Sequence, residues 1–269
     1  MLIPFFFIVS LFCAAWTTWA IPVRNVWTVF IFLGLTAAYT AACIIFALLL
    51  LLVSSLCLPN KEKPPKKCNA AFWIIREACI AIRQLARVKV EATGLEKIPE
   101  GPFLLLSNHR SMLDPIIAIS VFWRHPMAFL TKAENMKIPV AGPYIRLGDF
   151  LTIDRSNPRS AIKTIRDAAE LIRRDDISYG VYPEGTRNKT NEPLLPFHDG
   201  IPMIAQKAGV PIVVLCTKNT ADITKRFPFR RTRVPFDVLH VYSAEEVASR
   251  RSTDLSEEIR NMILEHLEK

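Results

Sequence analysis

The sequence predicts an α/β fold: a mixed, largely parallel sheet flanked by helices, behind an N-terminal apolar helical hairpin. Three observations lead there. Short apolar runs, the length of buried strands, alternate with stretches whose apolar residues recur at helical spacing. Several of those runs end abruptly in polar clusters that packing does not require, as strands do where they deliver a site. And from Met1 to Leu58 the only charged residue is Arg24.

The front of the chain sets its class. Residues 1–21 are almost wholly apolar, Pro22-Val23-Arg24-Asn25 breaks the run, and Val26 to Leu58 is apolar again. A spanning helix needs about 20 apolar residues, so both runs are long enough, the second with excess for tilt or a kink. A spanning hairpin and a re-entrant wedge both fit. A cleaved signal peptide fits poorly, because no positive residue precedes the first run and a longer run follows it. Trp16, Trp19 and Trp27 flank the break as aromatics do at headgroup level.

Next comes Lys61-Glu62-Lys63-Pro64-Pro65-Lys66-Lys67. Juxtamembrane lysines at this density favour the anionic cytoplasmic leaflet, which places the rest of the chain at the cytoplasmic face of the cell membrane. The net charge of +9 suits the same anionic membrane surface. No zinc finger, stacking-aromatic strand or recognition helix supports a nucleic-acid partner. The six cysteines, Cys13, Cys43, Cys57, Cys68, Cys79 and Cys216, form no Cys-x-x-Cys pair and read as small hydrophobes in a reducing compartment. The expected organisation is an anchoring hairpin over 1–60, a basic linker and amphipathic helix over 61–87, and an α/β domain over 88–269.

Along the domain, Ala70 to Arg87 reads as a helix with Phe72, Trp73, Ile75, Cys79, Ile82 and Leu85 on one broad side. Val88 to Ala92 alternates and reads as a strand ended by Gly94; Phe103 to Leu106 and Met127 to Leu130 read as buried strands. Ile138 to Pro143 breaks any long helix, and Ile145 to Ile153 reads as extended chain. Asn157-Pro158 opens a helix with Ile162, Ile165, Ala169 and Ile172 on its stripe. Further strands are expected over Ile177–Tyr182, Val210–Leu215 and Val234–Tyr242, with a helix from Pro202 to Lys207 ended by Gly209. Asp254-Leu255-Ser256-Glu257 has the pattern of a capping box opening a last helix to Leu267, whose core side carries Leu255, Ile259, Met262, Ile263 and Leu267.

Polar residues gather where these strands end. Ser107-Asn108-His109-Arg110-Ser111-Met112-Leu113-Asp114 follows the strand at Phe103. A histidine acting as a base needs a partner that fixes its tautomer, and Asp114 fits if the chain curls back. The plainer alternative makes His109 a strand-end surface residue and Asp114 a helix cap. Lys132, Asp154 with Arg155, and Glu184-Gly185-Thr186-Arg187 end other strands. With parallel strands these ends share one edge, placing a histidine–carboxylate pair beside two guanidiniums and an ammonium: an anionic-substrate site. No phosphate-binding glycine loop, dinucleotide fingerprint or Gly-x-Ser-x-Gly is present, and no histidine has metal-ligand spacing.

These blocks together resemble the glycerolipid acyltransferases, specifically the 1-acyl-glycerol-3-phosphate acyltransferases. Asn108-His109-Arg110-Ser111-Met112-Leu113-Asp114 matches the family's Asn-His-x-Ser-x-x-Asp, and Gly148 to Arg155 matches its second block, an arginine after an apolar strand. Tyr182-Pro183-Glu184-Gly185-Thr186-Arg187-Asn188 matches Phe-Pro-Glu-Gly-Thr-Arg-Ser, with Tyr for Phe and Asn for Ser; Gly209 to Val214 matches the fourth block. The likeness covers about residues 88–216, and the front end is longer and more apolar than the family needs.

The resemblance implies the family's fold and transfer of an acyl group from acyl-CoA or acyl-carrier protein to the 2-hydroxyl of lysophosphatidic acid, giving phosphatidic acid. It implies His109 as base with Asp114 orienting it, no acyl-enzyme, and neither cofactor nor metal. Arg155, Arg187 and Lys132 would take the acceptor phosphate. Glu184 would fix the glycerol or orient a cation, beside Gly185 and Thr186. Backbone N–H groups near Gly185 or at the helix after Asp114 are the candidate oxyanion donors. Another lyso-lipid acceptor, such as a lyso-ornithine lipid, and a non-catalytic membrane-anchored lipid-binding protein are the alternatives.

Overall fold

The computed structural model describes residues 2–20, 26–57, 68–152 and 158–269. The break at 22–25, the basic run Lys61–Lys67, Asp154 with Arg155, and the expected cap Asn157 lie outside the described residues. The chain divides into two compact units, Met1–Asn60 with Pro139–Pro143, and Lys61–Ile138 with Tyr144–Lys269.

The first unit contains α1 (Leu2–Trp19) and α2 (Val26–Cys57), packed on one another. At 1.5 Å per residue α2 is about 48 Å long, more than a hydrocarbon core of about 30 Å requires. Among the described residues, Val26–Leu56 is the one helix both long and apolar enough to cross a membrane, and the apolar stretch Pro4–Trp19 is shorter. Hydroxyls within both helices donate to carbonyls one turn back, Ser10 to Phe6 at 2.7 Å, Thr36 to Phe32 at 2.8 Å and Thr40 to Thr36 at 2.8 Å. That satisfies them without water, as an apolar surrounding demands. Small Ser10, Ala14 and Thr36 are buried, while Phe12, Trp16, Trp19 and Trp27 are exposed.

The second unit is built on a seven-stranded sheet in the order β1-β7-β6-β2-β5-β3-β4. Its strands are β1 (Val88–Thr93), β2 (Leu104–Ser107), β3 (Met127–Thr131), β4 (Leu151–Thr152), β5 (Ser178–Val181), β6 (Ile212–Thr217) and β7 (Thr232–Tyr242). β6, β2, β5, β3 and β4 are mutually parallel, and β1 and β7 are parallel to each other but antiparallel to β6. Helices on both faces explain why the central strands are apolar without alternation. Leu104, Leu106, Tyr179, Ile212 and Val214 face one core, closed by α6 (Pro158–Asp175), α7 (Met203–Ala208) and α10 (Ser252–Glu268). Phe103, Leu105, Phe129, Val213 and Phe236 face the other, closed by α3 (Asn69–Leu85) and α4 (Asp114–Val121).

The pairing of β7 with β6 shifts register between Val214 and Leu215: Val214 opposes His240 while Leu215 opposes Val238, so Leu239 is an extra residue. Before the shift Val234, Phe236 and Val238 join the core closed by α3 and α4; after it Tyr242 joins the opposite core. Tyr242 then donates its hydroxyl to Glu258 of α10 at 2.6 Å.

The fold agrees with the sequence in class, and four local expectations need correction. Ile145–Leu147 is helical, not extended, the end of α5 (Ala141–Leu147), and β4 is only two residues long. Pro143 falls within that helix's first turn, where its missing N–H has no helical partner to lose. α10 starts at Ser252, before the expected capping box, and Asp254 instead pairs with Arg251 at 3.0 Å. A capping box does form nine residues upstream of Ser252, where Ser243 and Glu246 exchange hydrogen bonds at the start of α9 (Ala244–Ser249). Ile162 is exposed, its place on the α6 stripe taken by Ala168. On α3, Phe72 and Cys79 are buried, but Trp73, Ile82 and Leu85 are exposed.

Candidate active site

The parallel strands β2 and β5 end side by side, so the chain that leaves one meets the chain that leaves the other. Past Ser107, Asn108 is fully buried and clips β2 to β6: its Nδ2 donates to the Thr217 carbonyl at 2.9 Å, and its Oδ1 accepts the Thr217 N–H at 2.9 Å. The backbone thereby turns His109 out of the sheet edge. Asp114, at the first residue of α4, closes the loop back on it.

Asp114 Oδ2 lies 2.9 Å from His109 Nδ1 and accepts the backbone N–H groups of Arg110 and Ser111, each at 2.8 Å. Its side chain is 2% exposed and that of His109 17%. An ionised carboxylate can only accept, so Nδ1 carries the proton and the neutral ring keeps its lone pair on Nε2. Nε2 makes no hydrogen bond among the described residues. That arrangement orients the imidazole and leaves Nε2 free to accept a proton.

The turn after β5 holds the same loop from the other side. Glu184 Oε1 accepts the His109 N–H at 2.6 Å and Oε2 accepts the Leu195 N–H at 3.0 Å, while Asn188 N–H donates to the His109 carbonyl at 2.7 Å. Burial raises the Glu184 carboxyl above its ordinary range, opposed by the two N–H donors and by His109 and Arg110. Gly185 adopts φ +69°, and a β-carbon there would meet the His198 ring at 2.6 Å. Both facts exclude a side chain at that position.

Aromatic rings back the imidazole. Tyr182 stacks on His109 with centroids 4.1 Å apart and 14° between planes, and Phe129 continues the stack on Tyr182 at 5.7 Å and 18°. Burial and the Asp114 carboxylate push the Tyr182 phenol well above its usual value, so it remains neutral. Gly180 makes room for Phe129: a β-carbon would lie 2.1 Å from that ring.

The structure therefore brings His109, Asp114, Glu184 and Gly185 together. Arg187 lies between Glu184 and Asn188, half-buried, and its guanidinium has no ion pair or hydrogen bond among the described residues. Thr186 is exposed beside it. Lys132 follows β3 at the same sheet edge and is exposed. Arg155 is outside the described residues. Cys216 is buried in β6 with its thiol pushed up to about 12 by burial, which leaves it no thiolate with which to attack. Among the described residues no group of three or more His, Cys, Asp or Glu is placed to hold a metal ion.

Sequence reasoning missed the parts that support the base. In the sequence Tyr182 stands only as a departure from a family pattern, His198 as a histidine without ligand spacing, and Asn108 without a task. A second polar residue, after Ser107, at the end of a four-residue apolar run is the signal for Asn108. The ring stack had none, because Phe129 and Tyr182 are 53 positions apart.

The family model described as "Acyltransferase" matches residues 89–218. Among curated proteins, the chain is 27% identical over 206 residues to a 1-acyl-sn-glycerol-3-phosphate acyltransferase of Saccharomyces cerevisiae, covering 75% of this chain and 67% of that protein. It is 33% identical to one from Limnanthes douglasii, covering 51% of this chain and 48% of that protein. To the human alpha form it is 31% identical, covering 55% and 52%. The match thus spans about half the length of the plant and human relatives. The 1-acyl-sn-glycerophosphate (LPA) acyltransferase PlsC from Thermotoga maritima shares the fold, with a TM-score of 0.62, 22% identity, and coverage of 83% of this chain and 88% of that one.

Proposed function

From a chain that belongs to the 1-acyl-sn-glycerol-3-phosphate acyltransferase family, we infer an enzyme that acylates the 2-hydroxyl of lysophosphatidic acid, with acyl-CoA or acyl-carrier protein as donor. One observation carries the reading: the His109–Asp114 pair, held at 2.9 Å with Nε2 open.

An alcohol is a weak nucleophile at neutral pH, so its proton must leave as the new bond forms. Nε2 of His109 takes that proton while the acceptor oxygen attacks the thioester carbonyl carbon. Asp114 stabilises the imidazolium. The carbonyl oxygen becomes an oxyanion, the C–S bond breaks as it re-forms the carbonyl, and the thiolate leaves with the proton held by His109. The products are phosphatidic acid and free CoA or carrier thiol, and the base is restored. No covalent enzyme intermediate is needed.

Arg187 is the first candidate for the acceptor phosphate, since a half-buried guanidinium with no partner is costly until an anion reaches it. Lys132 and Arg155 complete the anionic subsite. Glu184 serves by holding the His109 backbone. The apolar hairpin of residues 1–60 anchors the enzyme in the cell membrane, the lysines of the 61–87 segment favour the cytoplasmic face, and residues 88–269 form the catalytic domain.

The test is an assay in which lysophosphatidic acid and lysophosphatidylethanolamine are each offered with both thioester donors. Turnover should require the phosphate monoester. His109→Ala should cost at least the 10²–10⁴-fold typical of a lost acid–base group, about, and Arg187→Ala should chiefly raise the acceptor KM. Wild-type rates in His109→Ala would sink the assignment.

A further inference from the structure

Thr224 to Arg231 is eight consecutive exposed residues, and its composition is unusual for a solvent loop. Phe229 is 86% exposed and Phe227 51%, each an apolar ring with no core to enter. Arg226, Arg230 and Arg231 surround them. Arg226 shares Asp222 at 3.4 Å, whereas Arg230 and Arg231 have no ion pair among the described residues. The end of α3 joins this patch: Arg87, just beyond the helix, donates to the Pro228 carbonyl at 3.5 Å, its own carbonyl accepts the Thr232 N–H at 3.2 Å, and Leu85 is 66% exposed.

The register of the sheet decides which way the patch faces. β2 and β6 are parallel, with Ser107 opposite Leu215, so both deliver their ends to the edge that carries His109. β7 runs the other way, with Phe236 opposite Thr217, so its first residue Thr232 lies beyond the end of β6. The Phe227–Arg231 loop therefore stands at the same edge of the sheet as the candidate base. Isolated exposed rings are ordinary, but rings ringed by unpaired cations on one edge match the composition of an interfacial contact, where apolar groups enter the headgroup boundary and arginines meet anionic lipid.

We propose that this loop, with Leu85, is a bilayer-contact surface that seats the catalytic edge on an anionic membrane. The acyltransferase reading supplies only the reason for that edge to meet lipid; the contact itself rests on the exposed rings and their charge. It adds a point of attachment separate from the apolar hairpin and presents the site toward the leaflet from which an amphiphilic acceptor is drawn.

The full chain in nanodiscs gives the test, by hydrogen exchange of the segment 224–231. Exchange should slow several-fold in discs containing phosphatidylglycerol relative to discs of phosphatidylcholine alone. The double variants Phe227→Ser/Phe229→Ser and Arg230→Gln/Arg231→Gln should each abolish the slowing, with unchanged thermal unfolding and unchanged turnover of detergent-dispersed lysophosphatidic acid. Equal exchange in the two discs overturns the proposal. Protection that follows protein concentration, whatever the lipid, also overturns it and assigns the surface to a second copy of the chain. A wild type that shows the lipid-dependent protection but forms no phosphatidic acid refutes the catalytic reading and leaves the contact standing.

Discussion

Glu184 Oε1 accepts the backbone N–H of His109 at 2.6 Å, so the carboxyl on one strand end holds the imidazole-bearing loop delivered by its neighbour. The other oxygen is committed to Leu195 N–H. Glu184→Gln keeps one acceptor oxygen but turns an NH₂ group toward the second donor. Leaving that donor unpaired costs about 1–3 kcal/mol, and a displaced His109 should lower kcat by roughly tenfold or more. Thermal unfolding and steady-state rates of the purified variant check both.

The same residue sets a pH dependence. Burial holds its folded carboxyl above the ordinary value of 4.5, so near that pH the folded state holds a proton that the unfolded state releases. Its contribution to stability is therefore fully present below 4.5 and falls as pH rises through the folded value, then levels. Plotted as wild type minus Glu184→Gln, which does not titrate, the unfolding free energy should decline across that window. A flat difference would contradict the shift.

Tyr182→Phe preserves the ring over His109 and should retain near wild-type turnover. Tyr182→Ala removes the stack. An aromatic pair is worth about 0.5–1.5 kcal/mol beyond its buried area, so the Ala variant should lose roughly 2–10-fold in kcat while the acceptor KM changes little. Parallel kinetics of the two variants separate the ring from its hydroxyl.

Gly180→Ala drives a β-carbon into the Phe129 ring, which would lie 2.1 Å away. Overpacking of this kind costs about 1–3 kcal/mol and here also shifts the ring on which Tyr182 rests. The variant should unfold at lower temperature, and adding Phe129→Leu should recover part of the loss. Unchanged stability in the single variant would show that the rings have more freedom than the stack implies.

Asn108→Ala should rank among the more damaging changes outside the base itself. It leaves the buried Thr217 N–H and C=O without their partner, at about 2–6 kcal/mol together. Denaturant unfolding of the variant measures the loss.

What could be read from the sequence followed periodicity and clustering. β2 was legible because four apolar residues buried on both faces leave no alternation to misread, and α6 because Ile165, Ala169 and Ile172 recur at helical spacing. His109 and Asp114 were legible because a polar cluster after such a strand has no packing explanation. Ile145–Leu147 was misread because the alternation Tyr144-Ile145-Arg146-Leu147 fits a strand as well as a helix, and only the turn begun at Ala141 decides. The capping box was misplaced for a related reason: Asp254 and Glu257 have the right spacing, but Arg251 claims Asp254 first. Contacts between distant strand ends, such as Asn108 with Thr217 or Phe129 with Tyr182, leave no local trace, since topology alone creates them.

Leu239, the unmatched residue of β7, makes the strand's parity a matter of counting. Deleting it would set Val238 beside His240, still opposite Leu215 and Val214, so the strand would alternate without a break and Tyr242 would still oppose Ile212 and reach Glu258. The anchoring of the C-terminal helix is thus indifferent to the odd residue, whose loss would cost β7 only its local bend and added twist.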